Sequence, residues 1–206
     1  MLYFTRTPAI FRSLYKSCIW KMTPAEPTVY FTFDDGPHPE ITPFVLEQLK
    51  KYNAKATFFC VGKNVAAHPD IFQQIFNDGH SVGNHTYDHV NGAKTKTKAY
   101  VENVLEAAKY IHSPLFRPPY GRIKSSQIKA LKNAVPDIKI IMWDILSGDF
   151  DKDVQPQVCL QKVLFKSRSG SIIVFHDSEK AWDRMSYALP RLLNHFSKKK
   201  FKMVTL

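Results

Sequence analysis

Two aspartates stand side by side at residues 34 and 35, two histidines stand four apart at 85 and 89, and another histidine follows an apolar run at 176. Carboxylates can take up a proton or hold a cation, and imidazoles can give up a proton or bind a metal, so these residue types are the raw material of hydrolysis. His85 and His89, within NHTYDH, share one face if the segment turns helically. Two solvated histidines are the ordinary reading of such a pair. A carboxylate from another segment converts it into a His/His/Asp metal site with positions left for water and substrate, and Asp35 is the natural third ligand. Asp34 then needs a separate role, that of a general base beside the metal. An aspartate capping a turn would account for one carboxylate, not two. His176 in SIIVFHDS is read as a general acid rather than a structural histidine. Arg117 in LFRPPYG, held by two following prolines, can pair with Asp34 and keep it ionised and oriented. The remaining five histidines lie in loops or beside helices and receive no chemical role.

Short apolar runs alternating with helical patterns must position these groups. Strands are predicted over 29–33, 56–61, 81–84, 115–117, 139–145, 172–175 and 201–205. The first helix is predicted with Thr42 as N-cap and Pro43 at its first position. Further helices are predicted over 69–77, 95–111, 123–133, 155–166 and 187–197. This alternation implies a parallel sheet, closed into a (β/α) barrel or doubly wound. Asp34 and Asp35, His85 to His89, Arg117 to Tyr120, Ser147 to Asp149, and His176 with Asp177 all follow strands, at the C-terminal rim where barrel active sites are built.

A chain of 206 residues with 44% apolar content fits one folded core. A net charge of +11 points toward an acidic partner. Its densest runs, KTKTK at 94–98 and KKK at 198–200, flank predicted helices and are read as solvated charge; no zinc-finger, RNP or helix-turn-helix pattern supports nucleic-acid binding. Three widely spaced cysteines indicate neither a disulfide framework nor a cysteine zinc site. No run reaches transmembrane length, and the first 22 residues lack the apolar stretch of a secretory signal. That absence makes a cytoplasmic location the expectation. Phe11, Leu14, Tyr15, Cys18 and Ile19 fall at helical spacing, so residues 1–26 are expected to form an amphipathic extension packing on a domain over 27–206. A peripheral contact with the membrane surface is the other reading of this extension. Nothing in the sequence speaks to oligomeric state.

Taken together, TFDDG at 32–36, HTYDH at 85–89, RPPYG at 117–121 and VFH at 174–176, with ATFFCVG and SVGNHT, resemble the polysaccharide deacetylase family with the NodB homology domain, carbohydrate esterase family 4. The resemblance implies a single distorted (β/α)7 barrel and metal-dependent removal of N-acetyl or O-acetyl groups from glycans such as chitin oligomers, peptidoglycan or xylan. By motif, it assigns Asp34 as base, Asp35, His85 and His89 as metal ligands, and His176 as acid. It also gives Arg117 as the partner of Asp34, the Tyr120 backbone N–H as an oxyanion donor, and Trp143 and Val174 as the lining of an acetyl pocket. The metal it implies is zinc, with cobalt or another divalent ion as alternatives. One motif departs: where the family shows W-S-x-D-x-x-D-W, MWDILSGDF places Leu146 at the first Asp and Phe150 at the Trp. Asp149 is then the candidate partner of His176, with Ser147 assisting. The family's usual targets lie outside the cytoplasm, which conflicts with the missing export signal.

Two other classes share parts of this pattern. A two-histidine, one-carboxylate set also serves non-haem Fe(II) oxygenases, although that chemistry requires neither Asp34 nor His176. A catalytically silent glycan-binding module could occupy the same fold.

Overall fold

The computed structural model describes residues 4–206. Among them, strands β1 (Cys18–Ile19), β2 (Thr28–Asp34), β3 (Ala56–Cys60), β4 (Ser81–Asn84), β5 (Leu115–Phe116), β6 (Lys139–Ile141), β7 (Ile145–Leu146), β8 (Ile172–His176) and β9 (Lys202–Met203) form one sheet. The helices are α1 (Ala9–Leu14), α2 (Ile41–Lys51), α3 (Gly62–Ala67), α4 (Pro69–Asn77), α5 (Thr97–Ala108), α6 (Ser125–Ala134), α7 (Pro156–Lys166) and α8 (Trp182–Lys198). The strands run parallel in the order β1-β6-β5-β4-β3-β2-β8-β7, with β9 joining β2. The result is the expected α/β barrel, strongly curled. Its hydrogen-bonded path ends at β1 on one side and β7 on the other.

Strand alternation divides the side chains between two faces. Phe31, Phe33, Phe58 and Phe175 point outward and are buried against Val45, Leu49, Leu189, Leu193 and Phe196 of α2 and α8. At roughly 1.5–3 kcal/mol for each large apolar side chain removed from water, this layer holds the helices to the barrel. Tyr30, Phe59, Leu115, Ile141 and Ile172 form a separate interior cluster. Above it, Thr32, Val174 and Leu146 are register partners, and in the next layer Asp34 is the partner of His176. Apolar filling thus gives way to polar chemistry within one strand.

Three expectations differ from the structure. The run predicted as a single strand over 139–145 breaks into β6 and β7, because its hydrogen-bond partners change midway. The Met142 N–H donates to Ile19 on one side of the opening, while the Asp144 N–H donates to Ile172 of β8 on the other. The helical spacing near the N-terminus also misleads beyond Leu14: Cys18–Ile19 extend β6 instead. An open sheet edge outweighs local periodicity there. Thr42 lies inside α2, and Glu40 takes the cap position. The Thr42 hydroxyl accepts the His38 N–H at 2.8 Å and donates to Asp177 Oδ2 at 2.6 Å, a link across the barrel rim that a cap analysis does not anticipate.

Candidate active site

β2 delivers Asp34 to the mouth of the barrel with 3% exposure, and Arg117, entirely buried, meets it with Nη1 to Oδ1 at 2.7 Å. The same guanidinium donates to the Thr32 hydroxyl and to the carbonyls of Ile141 and Met142, and lies 4.0 Å from the centre of the Phe59 ring. A charge this deeply buried persists only when its hydrogen bonds are satisfied. Here the ion pair fixes the direction of the Asp34 carboxylate.

Residues adjacent in a strand face opposite ways, yet Asp35 turns back into the same cavity. Its φ of 87° explains how: the left-handed backbone at the strand end rotates the second carboxylate inward. Thr86 (65°), His89 (56°) and Tyr120 (60°) share this strained conformation. Each costs ~1–3 kcal/mol, and such residues concentrate at functional sites. The histidine pair therefore meets without the helical turn considered above: residues 85–89 are not helical, and the positive φ angles at Thr86 and His89 fold the segment back on itself.

His85, His89 and Asp35 form a group whose ligand atoms lie within 4.8 Å of one another. Asp35 Oδ1 stands 3.2 Å from His89 Nε2 and 3.8 Å from His85 Nε2, and it is buried without a hydrogen bond. The His85 Nδ1 faces the Arg117 carbonyl at 2.7 Å. Because a carbonyl can only accept, Nδ1 carries the proton and Nε2 presents a lone pair to the group, as metal-binding histidines require. Burial pushes the His85 imidazole down to about 4, against the opposing pull of Asp34 and Asp35, so it is neutral at physiological pH. Burial alone would raise Asp35, but the close approach of His89 Nε2 and the charge of the nearby His176 hold it well below the usual carboxylate range. An ionised carboxylate with an orphaned oxygen, aimed at two imidazole nitrogens, fits a divalent cation.

His176 sits beside Asp34 across β2 and β8. Its Nδ1 is 2.8 Å from Asp149 Oδ1, and its backbone N–H donates to Oδ2 at 2.7 Å. Burial would depress this imidazole, but the charge and hydrogen bond of Asp149, with Asp35 and Asp34 nearby, raise it to about 10. Ser147 donates to Asp149 Oδ1 at 2.9 Å, and Arg184 Nε to the Asp149 carbonyl at 2.6 Å. Phe150 packs edge-on against His176 at 5.4 Å.

The Tyr120 ring stacks near His89 at 4.6 Å, with its hydroxyl 3.1 Å from Nδ1. Trp143 covers Gly121, whose φ of 62° and contact with the indole leave no room for a side chain. Val174 is buried one layer below His176, beside Thr32. Four supporting residues were given no role by the sequence analysis, although Asp177 was placed at the rim with His176. Ser178 donates to Asp35 Oδ2 at 3.3 Å, Asn64 to the Asp35 carbonyl at 2.7 Å, and Asp177 accepts the Gly36 N–H at 3.0 Å, while Arg184 secures Asp149 as above. Only their nearness to a motif could have flagged Asp177 and Ser178; Asn64 and Arg184 left no signal.

The family model for polysaccharide deacetylase matches residues 21–135. The chain belongs to the polysaccharide deacetylase family. Among relatives of the family, a peptidoglycan-N-acetylglucosamine deacetylase of Bacillus cereus is 36% identical over 86% of this chain and 66% of that protein, so the chain spans just under two thirds of its length. A chitooligosaccharide deacetylase of Azorhizobium caulinodans is 34% identical over 76% of this chain and 77% of that protein. Among solved structures, a peptidoglycan N-acetylglucosamine deacetylase in complex with 4-naphthalen-1-yl-N-oxidanyl-benzamide superposes with a TM-score of 0.84 at 31% identity, covering 97% of this chain and 95% of that one. A family 4 carbohydrate esterase pseudoenzyme from Bacillus anthracis also shares the fold, with a TM-score of 0.79 at 25% identity over 91% of this chain and 66% of that one.

Proposed function

We propose that this chain is a metal-dependent hydrolase that removes acetyl groups, N-acetyl foremost, from a glycan of the chitin or peptidoglycan kind. The observation that carries this reading is the convergence of three units on adjacent strand ends: the Asp34–Arg117 pair, the Asp35/His85/His89 group and the His176–Asp149 pair. Asp35, His85 and His89 would hold the cation, with zinc the favoured ion for a site of nitrogen and carboxylate ligands. Such an ion lowers the pKa of a bound water and polarises a carbonyl. Asp34, oriented by Arg117, takes the proton from the attacking water. The Tyr120 backbone N–H steadies the oxyanion as the carbonyl carbon becomes tetrahedral. His176, charged through Asp149, gives its proton to the departing nitrogen, which releases acetate and a free amine. Trp143 and Val174 would border the acetyl methyl.

The oxygenase reading gives no role to the base and acid pairs. The silent-module reading keeps a precedent in the pseudoenzyme neighbour, but here the Asp34–Arg117, Asp35/His85/His89 and His176–Asp149 units are all complete at one rim. Acetate release from N-acetylated chitin and peptidoglycan oligosaccharides, with metal removed and restored, tests the proposal. Acetate is expected only from metal-loaded protein and not from Asp34→Asn. Binding of acetylated oligosaccharide with no acetate released by the metal-loaded wild type would make the chain a silent module.

A further inference from the structure

The charge of +11 is not spread evenly around the barrel mouth. Loops after β2, β7 and β8 are acidic: with Asp35 they carry Glu40, Asp149, Asp151, Asp153, Asp177 and Glu179, against Lys152 and Lys180. Across the opening, the loops after β4 and β5 reverse the sign. Residues 107–136 contain no Asp or Glu, and residues 89–101 contain none either. Lys94, Lys96, Arg122 and Lys124 are exposed on those two loops, and among the described residues none of them pairs with a carboxylate. Some basic residues elsewhere do find partners, as Lys51 does with Glu47, Lys109 with Glu106 and Lys202 with Glu26. The one acid on the basic loops, Asp88, is held by the side chain of Asn103 at 2.7 Å.

The two basic loops are joined to each other and to the site. Gln127 donates to the carbonyls of Gly92 and Thr95, Lys124 Nζ donates to the Thr95 carbonyl at 3.0 Å, and Thr97 and Ser126 share a hydrogen bond of 2.9 Å. The first loop begins with His85 and His89, and the second with Arg117 and Tyr120. The cations therefore sit on a fixed platform continuous with the catalytic groups. Like charges gathered on one platform beside the mouth set up a local positive field that favours an anionic ligand.

We propose that this half of the rim is a subsite for carboxylate groups on the glycan, so that the chain acts preferentially on acetylated polymers carrying negative charge near the acetylated sugar. The inference rests on the deacetylase reading and names its substrate class. A free anionic polymer is favoured over a lipid surface because the platform borders the mouth that must admit a glycan, and because acidic loops occupy the opposite half of the same rim, which would repel an anionic membrane laid across it.

The test compares two N-acetylated hexasaccharides, hyaluronan, which alternates N-acetylglucosamine with a carboxylate sugar, and uncharged chitin. Binding is measured at low and high salt for wild type, for Lys94→Gln/Lys96→Gln/Arg122→Gln/Lys124→Gln, and for Lys198→Gln/Lys199→Gln/Lys200→Gln, which removes charge from the far end of α8. Wild type and the distal variant should bind hyaluronan about tenfold more tightly than chitin at low salt, and the preference should collapse at high salt. The rim variant should lose the preference while binding chitin as before. Equal affinity of wild type for both sugars, an undiminished preference in the rim variant, or loss of preference in the distal variant would each overturn the inference. So would rim-dependent attachment to phosphatidylserine vesicles without discrimination between the sugars. Acetate release from chitin is recorded in parallel, so failure of the deacetylase reading shows up separately from this binding result.

Discussion

Asp34 and Asp35 are neighbours in sequence but occupy different electrostatic surroundings, one facing a guanidinium and the other two imidazoles. Their assignments predict different losses. Asp34→Asn keeps the hydrogen bond to Arg117 but cannot accept a proton, so acetate release should fall by about 10²–10⁴-fold, with metal content unchanged by elemental analysis. The His176–Asp149 pair makes a pH-dependent prediction. Because the imidazole is raised from 6.5 to about 10, its stabilising contribution is complete below about 6.5 and is lost as pH rises through 10. Asp149→Asn should move the alkaline limb of the rate profile to lower pH, and denaturant titration should find it more destabilising at pH 6 than at pH 10. Which side chains meet was legible at the residue scale, because Asp34, Asp35, His85, His89, Arg117 and His176 stand in short motifs at strand ends. The hydroxyls and amides that brace them, Thr42, Asn64 and Ser178, were not, since each acts through a contact between distant segments.

At the scale of elements, the loop after β2 depends on a glycine for reasons of space. A methyl at Gly36 would overlap the Asp177 carboxylate that accepts its own N–H. Gly36→Ala should therefore displace Asp177 and the adjoining Asp35. A loss of ~1–3 kcal/mol in stability, read by thermal unfolding, should accompany weaker metal retention. The N-terminal segment gives a second prediction. The Leu146 N–H donates to the Thr5 carbonyl, the Thr7 N–H to the Asp144 carbonyl, and Arg6 pairs with the buried Asp144 at 3.3 Å. With β1 on β6, this segment touches both margins of the opening. Arg6→Ala should cost up to ~3–5 kcal/mol by leaving Asp144 short of a partner, less what Ser171 and Arg12 still supply; urea titration measures it. Sequence periodicity located nearly every central strand and helix, because β2, β3, β4 and β8 are apolar runs bounded by turns. It misjudged residues 15–19 and 139–145, where the identity of the pairing partner, not the local pattern, decides the structure.

For the molecule as a whole, metal and fold should be thermodynamically linked. A cation held by Asp35, His85 and His89 binds the native chain, so chelation should lower the unfolding temperature, by the equivalent of about 4 kcal/mol if metal had stood a thousandfold above its dissociation constant. Asp35→Ala should unfold at one temperature with or without chelator. No described helix is long and apolar enough to cross a membrane. The charge total was visible in the sequence, but its division between two halves of one rim required the strand order.

The opening beside β6 has a further consequence. In a fully paired wall, the carbonyls of Ile141 and Met142 would be used in bonds to neighbouring strands. Where the chain crosses from one margin to the other, they are released toward the interior, and Arg117 takes both. The break in the cylinder thus supplies the acceptors that let a cation lie dry beneath Asp34, and sealing it would leave that carboxylate without its fixed partner.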